Sequence, residues 1–193
     1  MGSFLRNQVR PAIAVLVLLT LITGFAYPAV VTGIAQVAFP NQANGSFVVV
    51  NGSAVGSSLI GQSFNDPKYL WGRLSAAGKD GYDGTSSAGS NLGPTSKALI
   101  DRITASVDDM RSKNGGGPVP VDLVTTSGSG LDPDISPAAA EYQVNRVATT
   151  RGMTPDAVRA VIARHTTQPL LGFLGQPAVN VLLVNLDLDG LLK

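Results

Sequence analysis

The chain has 193 residues and a formal net charge of +1, from 14 Lys and Arg against 13 Asp and Glu, and only 14% of it is charged. That balance gives no basic field for nucleic acid, and with no Cys in the chain there is neither a disulfide framework nor a thiolate metal site. The length suits one apolar anchor plus a single domain of ordinary size, weakly charged and, with 22 Gly, rich in loops.

Residues 11–39 contain no Asp, Glu, Lys or Arg, and their centre from Ile13 to Ile22 is almost wholly aliphatic. A bilayer's hydrocarbon core takes roughly 20 apolar residues in a helix, so this run is long enough to cross with tilt. The parts of a cleaved secretory signal are also present: Arg6 and Arg10, a short aliphatic core, and the small-x-small triplet Gly24-Phe25-Ala26. The apolar character continues past Ala26 through Val30, Val31, Val37 and Phe39, so a retained anchor is the expectation. Pro28 should kink that helix without ending it. Arg6 and Arg10 precede the run and no Lys or Arg follows until Lys68, which places residues 1–10 in the cytoplasm and the bulk of the chain outside. Thr20, Thr23, Gly24 and Tyr27 fall on one helical face, and Ala29 and Gly33 have small-x-x-x-small spacing; such a face suits a neighbouring membrane helix.

After a polar exit at 41–46, Phe47–Val50 reads as a strand, Asn51-Gly52 as a two-residue hairpin turn, and Val55–Ile60 as the returning strand. Residues 61–94 are rich in Gly and Ser and show neither period, but Phe64, Tyr69, Trp71 and Tyr82 interrupt them; an ordered loop pinned by its rings is expected. Thr95 or Ser96 should open a helix to about Lys113, with Leu99, Ile103, Val107 and Met110 on one stripe and Lys97 four residues before Asp101. Asn114-Gly115-Gly116-Gly117-Pro118 ends it. Val119–Thr125 is expected as a strand, followed by a tight Gly/Ser turn. Ser136-Pro137 and Thr154-Pro155 share one cap grammar and should start two helices, the first closed by Gly152, the second carrying Val158, Val161, Ile162 and His165 on one side. Val179–Leu186 is an aliphatic run expected to form a buried strand. The fold class that follows is a single-pass N-terminal transmembrane helix followed by a mixed α/β extracytoplasmic domain, residues 40–193.

Chemistry is sparse. His165 is the single histidine and Glu141 the single glutamate, and no G-x-S-x-G, S-x-x-K or H-E-x-x-H pattern occurs. The stretch Gly72 to Asp80 imitates a P-loop, but five residues separate Gly72 from Gly78 where four are needed, and Asp80 stands where Ser or Thr would hold Mg²⁺. Ser127-Gly128-Ser129-Gly130 could present backbone N–H groups to an anion, although a plain turn satisfies the same residues. Trp71 and Tyr82 could line a ligand pocket or form the loop's own core.

The order of motifs resembles the C-subunit family of the bacterial Kdp high-affinity potassium-transporting ATPase. The carrying stretches are Thr23-Gly24-Phe25-Ala26-Tyr27-Pro28, Gln42-Ala43-Asn44-Gly45-Ser46, Gly56-Ser57-Ser58-Leu59-Ile60-Gly61-Gln62 and Tyr69-Leu70-Trp71-Gly72-Arg73. They continue with Gly89-Ser90-Asn91-Leu92-Gly93-Pro94, Ser127 to Pro133, Ile135 to Ala139 with Gln143-Val144, and Gly175-Gln176-Pro177-Ala178-Val179-Asn180-Val181. Leu74 departs from the family's Pro after Gly-Arg, and Leu70 from a common aromatic. The resemblance implies a non-catalytic accessory subunit in the cell membrane, partnered by a potassium-channel-like subunit and a P-type ATPase subunit that hydrolyses the ATP. It implies a catalytic-chaperone role that raises the pump subunit's ATP affinity, with Gln143, beyond the Ser127–Gly130 turn, as the nucleotide contact. The flanking charges put that Gln on the face away from cytoplasmic ATP. Two other readings stay open: a tethered ectodomain binding a small ligand or polymer through Trp71 and Tyr82, and an anchored hydrolase built on His165.

Overall fold

The computed structural model describes residues 2–192 and divides into two compact units, 1–46 and 47–193. The first unit is nearly all helix. α1 (Gly2–Leu21) runs into a π-helical turn (Ile22–Ala26), then α2 (Tyr27–Ala38) and a short α3 (Pro40–Ala43). Residues Arg6–Ala38 form one apolar helix of 33 residues, none of it buried, and it is long and apolar enough to cross a membrane by length and composition. Pro28 lacks an N–H and crowds the carbonyl of the preceding turn. The chain absorbs this by widening rather than breaking: Tyr27 N–H donates to Ile22 O, five residues back, and α2 resumes with Pro28 in its first turn, where a missing donor costs nothing.

The second unit opens with the hairpin β1 (Phe47–Val50) and β2 (Ser53–Ser57). Asn51 and Gly52 both take positive φ, 50° and 79°, as a primed turn requires. Residues 58–96 contain no helix or strand, and a single bridge pairs Leu74 with Thr126. α4 (Lys97–Asn114) follows, its Met110 buried and Ile103 and Val107 against the core, with Gly115 at φ 85° closing it. Lys97 and Asp101 pair at 2.6 Å across one turn. α5 (Pro137–Arg151) and α6 (Pro155–Arg164) begin as their sequences dictate: Ser136 and Thr154 accept from the N–H groups of Ala139 and Ala157, and Gly152 ends α5 at φ 65°. α5 is the central element, burying Ala139, Ala140, Gln143, Val144, Val147 and Ala148 and packing against α4, α6 and the small sheet. That sheet has three antiparallel strands of two or three residues in the order β3 (Asp134–Ile135), β5 (Ala178–Asn180), β4 (Thr166–Thr167).

Two segments expected as strands are not strands. Val119–Thr125 contains only a 3₁₀ turn at Val121–Leu123. Pro118 and Pro120 flank Val119, and Pro120 has no N–H for a ladder; Asp122 instead accepts from Ser136 N at 2.7 Å, tying the turn to the start of α5. Val179–Leu186 is mostly α7 (Val181–Leu188), with β5 holding only its first residues. Periodicity alone cannot separate a buried strand from a buried helix in so short a run. Here the Asn180 side chain accepts from Leu183 N at 3.1 Å and caps the helix, and the Leu-rich composition favours helix once both sides are covered.

The loop packs tightly against Gly130, at φ 69°, where an added Cβ would lie 2.5 Å from Ala88 O and 2.7 Å from Ala77 N. Gly130→Ala should lower stability by about 2 kcal/mol or more, roughly 4 °C in Tm, because both backbone strain and overlap oppose it. Gly84→Ala, at an open site without positive φ, should melt like the parent; equal Tm values for all three proteins would refute the close-packed loop.

Candidate functional site: a loop clasped by buried amides

The side chains of α5 and α7 converge on residues 66–71. Gln143 is wholly buried; its Oε1 accepts from Trp71 N at 2.9 Å and its Nε2 donates to Trp71 O at 3.1 Å. Asn185, 1% exposed, does the same to the preceding residue, accepting from Leu70 N at 2.8 Å and donating to Leu70 O at 2.9 Å. Exchanging both an N–H and a C=O with one residue is what a neighbouring strand does in an antiparallel ladder. Leu70 and Trp71 are therefore bonded like a central strand whose two neighbours are side-chain carboxamides, one from each helix.

Two arginines complete the clasp. Arg146 donates through Nη1 to the carbonyls of Tyr69, at 3.0 Å, and Pro67, through Nη2 to Gln143 Oε1 at 2.6 Å, and through Nε to Asn114 Oδ1 at 2.9 Å. Its guanidinium lies 3.5 Å from the centroid of the Trp71 ring. Burial lowers its pKa to about 10, so it stays charged at neutral pH while its partners are neutral oxygens. Arg151 donates to Lys68 O at 2.7 Å, Leu188 O at 2.8 Å and Asp189 Oδ1 at 2.8 Å. The Tyr69 hydroxyl donates to the other Asp189 oxygen at 2.7 Å, and this bond, followed by burial, raises the Tyr69 pKa. Burial alone would raise the Asp189 carboxyl, but the bonds from Tyr69 and Arg151 prevail and lower it. Every carbonyl from Pro67 to Trp71 thus has a side-chain donor, and Asp66 O accepts from Trp71 Nε1 at 3.1 Å.

Gln143 has two donors and two acceptor lone pairs. Its second donor goes to Ala139 O at 3.2 Å, so all four positions are filled within the protein. The Ser127–Gly130 turn is likewise engaged with itself and its neighbours. Gly130 N donates to Ser127 Oγ and Leu131 N to Ser129 Oγ, while Ser75 and Ser87 hydroxyls donate to Gly130 O and Ser129 O. The turn sits against residues 75–89, and Gln143 against Trp71.

Trp71 and Tyr82 do come together. They line one cleft of about 320 Å³ with Phe64, Arg73, Asp80 and Lys113 among its walls. Tyr82 sits over Gly72, where a Cβ would meet its hydroxyl at 2.7 Å, and that hydroxyl donates to Arg73 O. Burial raises the Tyr82 pKa to about 12. The P-loop imitation at Gly72–Asp80 leads into no helix, the next being α4 at Lys97. His165, expected on the apolar side of the helix opened by Thr154-Pro155, lies just past its last residue. It is the C-cap of α6, with α7 still to come, and its Nε2 is 2.8 Å from Asp187 Oδ2, which also accepts from Arg164 Nη2 at 2.9 Å. Glu141 pairs on the surface with Arg159 at 2.6 Å. In the first unit, Thr20 lies in α1, Thr23 and Gly24 within the π-turn, and Tyr27, Ala29 and Gly33 in α2, and all six are exposed. Thr23 Oγ1 donates to Leu19 O at 2.7 Å.

Asn185, Arg146 and Arg151 were not singled out from the sequence. The available signal was an amide inside an aliphatic run, at Asn185, which a solvent-free strand or helix tolerates only with a partner.

An apolar helix long enough for a membrane leads a mixed helix/sheet domain whose interior polar groups grip its own loop. The family model described as the K⁺-transporting ATPase c chain, KdpC, matches residues 9–190. A protein of Sorangium cellulosum named potassium-transporting ATPase KdpC subunit is 59% identical, covering 95% of this chain and 97% of its own. Proteins of the same name from Variovorax paradoxus and Herpetosiphon aurantiacus are 54% and 51% identical, each covering 96% of this chain and 97% of their own. The chain belongs to the KdpC family, an accessory subunit of the K⁺-transporting ATPase.

Gln143→Leu strands the N–H and C=O of Trp71 and removes a partner from Arg146. It should cost on the order of 3 kcal/mol in chemical denaturation. Asn185→Leu should cost a similar amount, and the double variant should fall short of the sum by about 1 kcal/mol or more, since both hold one segment. Strict additivity would show that the two amides act independently.

Proposed function

We propose that the protein is a bitopic subunit of the potassium-transporting ATPase complex. Residues 11–39 cross the membrane, 1–10 lie in the cytoplasm, and the domain from 40 onward, with its 61–94 loop, lies outside. The observation that carries this is the exposed apolar helix of 33 residues, charged only toward its N-terminal end by Arg6 and Arg10. Its partners are the potassium-channel-like subunit and the P-type ATPase subunit; the helix meets them through Thr20, Thr23, Gly24, Tyr27, Ala29 and Gly33, and the domain caps the outer mouth of the pathway. An exposed apolar tip supports a role in assembly: Leu170, Leu171 and Phe173 are 69%, 76% and 73% exposed. Any rise in the pump's ATP affinity passes, on this reading, through assembly. The carboxamide of Gln143 already has all its bonds, and the family's nucleotide-contacting role at this position would require the clasp to open.

Because the chain contains no Cys, Ser86→Cys gives a single thiol at an exposed loop position. Intact cells should label with a membrane-impermeant maleimide; labelling only after lysis would overturn the topology. Deleting residues 1–39 should abolish co-purification of the other subunits, and an intact complex without them would overturn the anchor's role.

A further inference from the structure

The π-turn at Ile22–Ala26 leaves one peptide carbonyl of the apolar helix without its backbone donor. In an α-helix Thr23 O would accept from the N–H of residue 27, and in a π-turn from that of residue 28. Tyr27 N–H donates instead to Ile22 O, and residue 28 is Pro, which has no N–H. The Thr23 hydroxyl is already engaged, donating to Leu19 O at 2.7 Å, and among the described residues no other side chain donates to Thr23 O. Thr23 and Gly24 are exposed, and a Cβ added at Gly24 would meet only Thr20 Cγ2, at 4.0 Å, so the approach to the turn is open. The turn also lies at the middle of the Arg6–Ala38 span. At the helical rise per residue, Thr23 is about 20 Å from Arg10 and about 22 Å from Ala38.

We propose that Thr23 O accepts a hydrogen bond from a transmembrane helix of a partner subunit, through a hydroxyl or carboxamide side chain that the partner carries at mid-membrane depth. The inference rests on the reading that residues 11–39 cross the membrane, and it names the polar contact within that crossing. Hydrocarbon holds no water to bond a stranded carbonyl, and the headgroups are half a bilayer away, so protein must supply the donor. A lipid tail or a wholly apolar helix face leaves the oxygen unmet. Ser, Thr, Asn and Gln side chains make such bonds between membrane helices, and a small residue such as Gly24 lets the second backbone come near enough for a short side chain to reach. The family's place in a multi-subunit ATPase favours a partner's helix over a second copy of this chain.

Thr is followed by Gly only at Thr23-Gly24 and Thr32-Gly33. The full chain labelled with carbonyl-¹³C threonine and ¹⁵N glycine therefore gives two carbonyl–nitrogen cross-peaks in solid-state NMR of lipid bilayers. Thr32 lies within α2 and serves as the bonded reference. In the chain alone, the Thr23 carbonyl should resonate upfield of Thr32, as an unbonded carbonyl does. It should move downfield when the labelled chain is assembled with the other subunits, with Thr32 unmoved. Pro28→Ala restores an N–H in a residue that favours helix, so the difference between the two carbonyls should shrink in the chain alone. The same variant should hold the other subunits about threefold or more weakly. A Thr23 carbonyl at the bonded position in isolation, one that does not move on assembly, or a Pro28→Ala complex as tight as the parent would each overturn the proposal. So would a shift in the chain alone that follows the protein-to-lipid ratio, which assigns the contact to a second copy. Deleting residues 1–39 separates the two levels. A complex that survives the deletion defeats the membrane reading and this contact together, whereas one that needs the anchor but tolerates Pro28→Ala defeats this contact alone.

Discussion

The fold depends on how five consecutive peptide carbonyls, Pro67 to Trp71, are satisfied without secondary structure. Buried backbone groups must be bonded, and a long segment outside helix or sheet has no ladder to do it. Here side chains supply the donors: Arg146 and Arg151 for 67–69, Asn185 for 70 and Gln143 for 71. The two amides also accept from the N–H groups of Leu70 and Trp71, so two residues of loop become as fully bonded as the middle of a sheet. Leu70 is consequently 0% exposed although it belongs to no element. Removing either carboxamide leaves the polar groups of Leu70 or Trp71 in a dry interior, and that penalty exceeds the modest net gain of making a bond.

The arginines extend this from neutral to charged groups. Burying a guanidinium without a carboxylate is costly, and the fall of the Arg146 pKa to about 10 expresses that cost. Two backbone carbonyls, two side-chain amide oxygens and the face of Trp71 offset it. Arg151, by contrast, keeps a carboxylate partner in Asp189 and stands at the last position of α5, where a cation also meets the negative end of the helix dipole. One helix therefore grips the loop at both ends of its second half, and α7 grips it from the other side. The aromatic residues of the loop are placed by this grip, and with them the wall of the cleft.

Much of the architecture was legible because local signals and tertiary context agree. The caps at Ser136 and Thr154, the stops at Gly115 and Gly152, the Asn51-Gly52 turn and the stripe of α4 all form as their residues dictate. The failures occurred where one composition serves two structures. Val179–Leu186 is apolar enough to be buried either way, and the deciding feature is the capping bond from Asn180 to Leu183 N, invisible to periodicity. Val119–Thr125 looked extended, but its prolines and the bond from Ser136 N to Asp122 impose a turn. The clasp itself was not legible: Leu70 and Asn185 are 115 positions apart, and no local pattern announces that an amide in one segment completes the backbone of another.

Gln143 shows how one residue can satisfy two different explanations. As a position matched to the family's motif, it is expected, from the resemblance alone, to contact nucleotide. As a member of this interior, it is already saturated: two donors and two acceptor positions all face protein. A ligand at that amide would have to replace bonds to Trp71 that nothing else can make, leaving a buried peptide unpaired. The same residue can nevertheless influence activity at a distance, since the segment it holds carries Trp71 and adjoins Gly72 and Arg73. Loss of function on substituting Gln143 would thus report the state of the loop before it reported contact with a nucleotide, and the two are separated by whether stability falls with activity or remains unchanged.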